Sequence, residues 1–370
     1  MRTENLKNNK LKFNIKGVEM IKLSNCKMLS YKYMFFIIIV LIFIFTSCND
    51  SNPVDGGGIK PPLPIPPIIY YSPVWHPNGK IVGFNHIPLK NIHYNSGADY
   101  PDKYEFEPDS AGFWLINSDG TNMHRIFPYP ISDPEWSPDG KWIVFDAGAQ
   151  IYKMRFTGET FDTTTLVQLT TEGRNFFPSW SPDGKWIVYD SNKDSPNGMN
   201  FIWKMKSDGS DKTRIAYEPE KGEIRDPSWS PDGSKIVHIR YSEDFNTDAS
   251  EICIMDTNGN NVKRLTFNDF MDYFPKYSFD GTKIAFSSQG IGGPPQLLVM
   301  NFDGSDIKQM TNEGIYADAV PFSWSPTGNF IVYSQYRSDK WPAQNGTLWI
   351  LNVNTGNKKQ LTFNPKPTYN

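Results

Sequence analysis

From Tyr70 onward the chain alternates apolar and polar positions in short runs, each cut by Gly, Pro, Asn or Asp. A period of two marks half-buried strands, and no helical spacing appears between the runs. The clearest unit is Ser179-Trp180-Ser181-Pro182-Asp183-Gly184-Lys185, continued by Trp186-Ile187-Val188-Tyr189. Proline presets φ for a turn and glycine accepts φ > 0, so this reads strand, tight turn, strand. The unit recurs with lead aromatics Trp75, Trp136, Trp180, Trp229, Tyr277 and Trp324, spaced 61, 44, 49, 48 and 47 residues apart.

Two further elements fill each period. An alternating strand ends in a second glycine turn, as in Phe201–Gly209 and Ile252–Gly259. A Leu-Thr or related pair follows: Leu169-Thr170, Leu265-Thr266, Met310-Thr311 and Leu361-Thr362. Four short strands per 40–50 residues, repeated, is the signature of a propeller blade. The pattern predicts an all-β fold: a six-bladed β-propeller of four-stranded antiparallel blades over 69–370. Each blade is contiguous in sequence, with no strand shared across the closing seam. The lead aromatics are assigned to packing between neighbouring blades, where one large ring per repeat buries well.

The Trp-Ser-Pro-Asp-Gly-Lys turn, the Trp203-x-Met205-x-x-Asp208-Gly209 strand end and the Arg264-Leu265-Thr266 strand resemble the repeats of TolB-type, WD-repeat-like propellers. The resemblance covers roughly 69–370 and is to the repeat. The α/β domain that precedes the TolB propeller finds no room in the short stretch between leader and first strand. It implies a protein-binding role in the cell envelope.

The remaining chain changes the picture of where this propeller works. Met34–Phe45 is a continuous run of twelve apolar residues. It is too short for a bilayer-spanning helix but suits a signal-peptide core, with Lys27 and Lys32 before it. Thr46-Ser47-Cys48 then resembles a lipoprotein cleavage site, which makes 1–47 a signal peptide and Cys48 the lipidated residue. The Gly- and Pro-rich stretch 48–68 reads as a tether. The expectation is export and lipid anchoring to the bacterial envelope, on the periplasmic side or the cell surface.

Charge and cysteine usage exclude several classes. The leader holds eight of the 37 basic and two of the 40 acidic residues, leaving a net of −9 for the rest. That offers no electrostatic footprint for nucleic acid. Of three cysteines, only Cys253 remains past Cys48, so no disulfide framework exists. No Gly-x-Ser-x-Gly elbow, phosphate-binding glycine loop or His-Glu-x-x-His occurs. His76, His86 and His93 lack a ligand spacing, so no metal or cofactor is expected.

Blade topology puts the stereotyped turns on one face and the variable connections on the other. Those after strand two differ most, from Asp146–Gln150 to Asn85–Ala111. Variable loops on one face are where repeat proteins usually bind. Connections after strand four reach the channel mouth there and hold Asp133, Asn175, Phe176, Arg225, Asp226, Asp272, Tyr273, Tyr316 and Asp318. These aspartates serve either to receive a ligand or to cap turns before prolines. The leading reading is a non-catalytic scaffold for an envelope protein. The alternative is a glycan- or peptide-binding or -processing propeller, of glycoside hydrolase or polysaccharide lyase type, with Asp226 and Asp272 as acid and base.

Overall fold

The computed structural model describes residues 70–94, 101–216, 222–241, 249–290, 295–312, 322–337 and 344–363. The expected signal peptide and tether, with Cys48, lie outside them, as do Tyr316 and Asp318. The chain divides into units 1–61 and 62–370, and every described residue falls in the second.

The repeat turns close themselves with their own side chains. In the second repeat Gly140 N–H donates to Ser137 O at 2.8 Å, and the Ser137 hydroxyl donates to Asp139 Oδ1 at 2.6 Å. The same hydroxyl accepts from Trp142 N–H at 2.9 Å, so serine staples both strand ends. The Ser181–Asp183, Ser230–Asp232 and Ser278–Asp280 turns repeat this arrangement. The Leu-Thr pair has an equally local cause. Thr170, Thr266, Thr311 and Thr362 hydroxyls accept the N–H groups of Ile151, Ile252, Leu297 and Leu348, satisfying donors beyond the short fourth strand.

The result is an all-β propeller. Its blade count differs from expectation. Four four-stranded antiparallel blades stand as separate sheets, opening with strands Tyr70–Trp75, Ser132–Trp136, Asn175–Trp180 and Phe322–Trp324. The repeats led by Trp229 and Tyr277 instead share one eight-stranded sheet. They are joined where Ser250 pairs in parallel with Met271. Ser250 N–H donates to Phe270 O at 3.2 Å and its hydroxyl to Asp272 O at 2.7 Å. The six-blade expectation is therefore corrected to four blades plus this merged sheet, because a turn signal counts repeats and does not report hydrogen bonds between them. The long first-repeat connection is also structured: Leu89–Tyr94 and Pro101–Phe106 form a two-stranded ribbon.

The core sits between sheets. One buried cluster joins Phe113 and Leu115 to Trp136 and Phe145, and another joins Val144 and Ile151 to Trp180 and Tyr189. First and last repeats meet through a cluster that includes Tyr70, Trp75, Phe84, Val332 and Leu348. Trp75 N–H donates to Ser323 Oγ at 3.0 Å, and the Ser334 hydroxyl donates to Tyr70 O at 2.5 Å. The lead aromatics are packing residues: Trp75, Trp136, Trp180 and Trp324 are buried in these clusters or their counterparts. Cys253 is buried within its strand.

Inter-repeat packing at the second glycine turn gives a direct test. Gly259 has φ +88, and a Cβ there would collide with the Ile215 carbonyl of the preceding repeat. Gly158 has a similar φ of +101 but nothing within 4 Å. Gly259→Ala is expected to cost at least about 2 kcal/mol more than Gly158→Ala, since both share the backbone strain and only one overpacks. Chemical denaturation of both variants measures the difference; equal costs would contradict tight contact there.

Candidate functional site at the channel mouth

Five of the innermost strands carry the same backbone irregularity. Ser72, Asp133, Phe177, Asp226 and Phe274 all have positive φ, from 46° to 53°, and each precedes a proline. Register breaks at each of these steps, between Tyr71 and Val74, Ser132 and Glu135, Phe176 and Ser179, Arg225 and Ser228, and Tyr273 and Lys276. These are β-bulges, which bend a strand and re-aim a side chain. A left-handed non-glycine residue costs about 1–3 kcal/mol. These five residues line one cavity of about 50 Å³ with the prolines that follow them, Lys276, and Phe322, which stands at the proline position of the last repeat. The channel mouth is thus built from the pre-proline residues.

Charge concentrates there. Asp226 is buried, and its Oδ2 accepts Phe274 N–H at 3.2 Å. Asp133 is half-buried beside buried Asp146. Burial pushes both carboxyls up, Asp146 well above the carboxylate range because Asp133 adds its charge; the Asp146 proton bonds to Asp133. Fully buried Asp190 accepts from Arg225 Nε at 3.2 Å. Burial pushes Asp190 up to about 8, although Arg225 pulls it down. Burial alone would lower the Arg225 pKa, but Asp190 and neighbouring acids raise it. The Arg225 guanidinium also lies 5.6 Å from the centre of the Phe177 ring.

An ion pair joins distant repeats at the mouth, where Lys276 lines the same cavity. Lys276 Nζ meets Glu135 Oε2 at 2.9 Å, linking strands 141 positions apart in sequence. Glu135 Oε1 is fixed in turn by Trp180 N–H at 2.7 Å and the Ser179 hydroxyl at 3.0 Å. Both cations are therefore engaged, Arg225 by Asp190 and Lys276 by Glu135. Lys276 lines the same cavity as Asp133 and Asp226, and the charge of Arg225 pulls on both carboxyls.

The expected site residues separate into groups. Asp133 and Asp226 line the cavity, with Arg225 directly behind. Phe176 lies 6.4 Å from Phe177, under Arg174. Asn175 is buried and structural, its amide donating to Glu172 O at 3.0 Å and Gln150 Oε1 at 3.2 Å. Buried Asp272 occupies the position equivalent to Asn175 and accepts from Asn268 Nδ2 at 3.3 Å. Burial pushes it up to about 6; its contacts reach Thr266, Glu251 and Ser250 of the preceding repeat, and it does not line the mouth cavity. Tyr273 is buried, its hydroxyl 2.9 Å from Met271 Sδ. Of the histidines, His76 packs on Gly140 at the turn face and His86 stacks on Tyr70 at 4.2 Å. The His93 side chain lies outside the described residues.

Several mouth residues went unread in the sequence. Asp146 and Asp190 stand at a second-strand position that is polar in five repeats, with Asn85, Ser287 and Ser334, and apolar at Ile239. Glu135 and Lys276 stand where other repeats place Ser179, Ser228 and Ser323, opposite charges at one repeat position. Phe177 and Phe274 carry no such signal.

The Asp226 environment predicts a pH dependence. Burial raises it to about 6, against the pull of Arg225 and the Phe274 N–H. The folded state then holds a proton that the unfolded chain releases, so stability falls as pH rises from about 4 to about 6. Asp226→Asn abolishes that fall. The stability of the variant relative to wild type should climb over this interval by up to about 3 kcal/mol, then level off. Thermal melts at stepped pH read this directly; a flat difference contradicts it.

Comparisons with known proteins fit this architecture. The model of the TolB beta propeller domain matches residues 126–247 and 221–367. No curated protein matches the chain. Among solved structures, TolB from Acinetobacter baumannii is similar with a TM-score of 0.57 and 21% identity, over 82% of this chain and 66% of that one. A TolB-type protein of Agrobacterium tumefaciens gives 0.56 and 22%, over 67% of this chain and 86% of the other. The tricorn protease gives 0.55 and 16%, over 82% of this chain but only 27% of the protease.

Proposed function

We propose that this chain, which belongs to the TolB beta propeller domain family, is an exported, non-catalytic scaffold. It captures a cationic side chain or chain terminus of an envelope protein in the mouth of its channel. The observation that carries this is the pairing of cavity size with charge. A mouth of about 50 Å³ admits one side chain, whereas sites for whole small molecules run to about 300–1,000 Å³. Asp133 and Asp226 offer the entering group acid, and Phe177 and Phe274 offer ring faces or edges that suit an ammonium or guanidinium. Strain held at the five bulges supports a built recognition surface, since strained backbone clusters where ligands are clamped.

The glycan-processing alternative draws less support. Its acid–base pair requires Asp226 and Asp272 to face one substrate, yet of the two only Asp226 lines the cavity, Asp272 being held among Thr266, Asn268 and Ser288. The solved relatives span TolB proteins and a protease, so their likeness bears on fold alone. The apolar run Met34–Phe45 and Thr46-Ser47-Cys48 support export with lipid attachment at Cys48, which would keep the propeller near its partner.

Light crosslinking of the tagged full-length chain in its native host, followed by mass spectrometry of co-purified proteins, tests this. A stoichiometric partner should be recovered and its recovery should drop at least tenfold in the Asp133→Asn/Asp226→Asn double variant. Undiminished recovery would move the interaction off the mouth. No partner, combined with turnover of an envelope glycan or peptide, would replace the scaffold by an enzyme.

A further inference from the structure

The turn face, opposite the mouth, carries two features that the repeat does not require. The first is a defect in packing between repeats. At five turns a Cβ on the glycine would meet the preceding repeat: Gly140 at His76, Gly184 at Pro138, Gly233 at Pro182, Gly281 at Pro231 and Gly328 at Asp280. Gly79, the turn glycine of the first repeat, meets nothing within 4 Å. The seam between last and first repeats is held at its outer edge by Lys359 Nζ donating to Asp119 O at 2.9 Å, and inside by Trp75 and Ser323. Between those ties it opens into a cavity of about 430 Å³. Its walls include Trp75, Pro326, Phe330 and Ile350, and its rim carries Lys358 and Lys359.

The second feature is a pair of exposed rings one repeat away. Phe279 replaces the turn proline found at Pro77, Pro138, Pro182, Pro231 and Pro326, and it is 64% exposed. Phe302 stands in the second turn where other repeats have Ser118, Thr157, Ser207 and Thr257, and it is 56% exposed. The two turns are joined, Phe302 N–H donating to Thr282 O at 3.0 Å. Asp280 and Asp303 flank the rings. Neither ring helps its own turn, so both expose apolar area that a monomer gains nothing from showing.

We propose that this chain pairs with a second copy of itself through the turn face, each copy inserting Phe279 and Phe302 into the seam groove of the other. Size agrees, because a cavity of about 150 Å³ suffices to hold benzene. Charge agrees, because an acid-flanked knob meets a lysine-rimmed groove. Placement agrees as well. Knob and groove lie on one face in adjacent repeats, the Gly328 turn abutting Asp280, so a two-fold axis between them satisfies both knobs at once. That isologous closure ends at a dimer. A foreign partner with an acid-flanked aromatic would use only the groove and leave Phe279 and Phe302 uncovered.

Two differently tagged full-length copies expressed together, solubilised and captured through one tag, test this. Wild-type copies should co-capture, and Phe279→Ser/Phe302→Ser in both copies should cut co-capture at least tenfold. The same variant in one copy only should give an intermediate yield, because one knob–groove contact survives. A melting temperature unchanged within about 2 °C confirms that these exposed sites do not carry the fold. Failure of wild-type copies to co-capture, or co-capture indifferent to the double variant, overturns the proposal. Because the mouth is on the other face, either outcome leaves the partner-capture reading standing or falling on its own test.

Discussion

The left-handed residue before proline in the innermost strands is the constraint on which the site depends. A proline disfavours the right-handed helical region for its predecessor, and a bulge at that step turns the side chain from the sheet toward the channel. Because the step recurs, Ser72, Asp133, Phe177, Asp226 and Phe274 converge on one cavity although they come from different repeats. Aspartate tolerates positive φ better than most residues, since its side chain can bond locally. At Asp226 the carboxylate does so by taking the Phe274 N–H of the neighbouring repeat, which couples one strained step to the next.

Burial then sets the chemistry. Charged groups at the mouth are tolerated because most have assigned partners: Asp190 with Arg225, Glu135 with Lys276, Asp146 with Asp133. Losing one partner of such a pair is costly, since it strands a buried charge. The Lys276–Glu135 pair matters beyond its own energy. It joins repeats 141 positions apart in sequence, and Lys276 lines the cavity beside the carboxylates and rings. Elsewhere the repeats are held by apolar clusters between sheets and by single backbone bonds such as Asn175 N–H to Ala149 O and Ile224 N–H to Asn200 O, and among the described residues it is at Ser250 that two repeats pair within a shared sheet.

Much of this was legible from residues alone, for physical reasons that also mark the limits. The turn code Ser-Pro-Asp-Gly is local, so its hydrogen bonds could be foreseen, and the lead aromatics were correctly assigned to packing. Sheet continuity is not local. The Ser250–Met271 contact depends on how two repeats lie against each other, and no short motif announces it. At the site, Asp133 and Asp226 were reached through their connections, whereas Asp272 and Asn175 share the same neighbourhood in sequence but bond at the junction with the preceding repeat and do not line the cavity. One residue of difference along a strand decides which face a side chain takes. Asp146 and Asp190 arrive from second strands and become mouth residues only once the sheets are assembled. Their signal was a polar residue inside an otherwise apolar strand, shared with Asn85, Ser287 and Ser334, visible by comparison among copies rather than as a motif.

The central claim is that the mouth holds acid in a desolvated setting that awaits a cation. Carbon-detected NMR titration of aspartate-labelled protein measures this most directly, following the carboxyl carbons of Asp226 and Asp146. The account predicts that Asp226 titrates near 6 and Asp146 well above the carboxylate range, each responding to its neighbours. Both groups titrating near about 4, as solvated aspartates do, would mean that water fills the mouth and that its charge is not held for a partner.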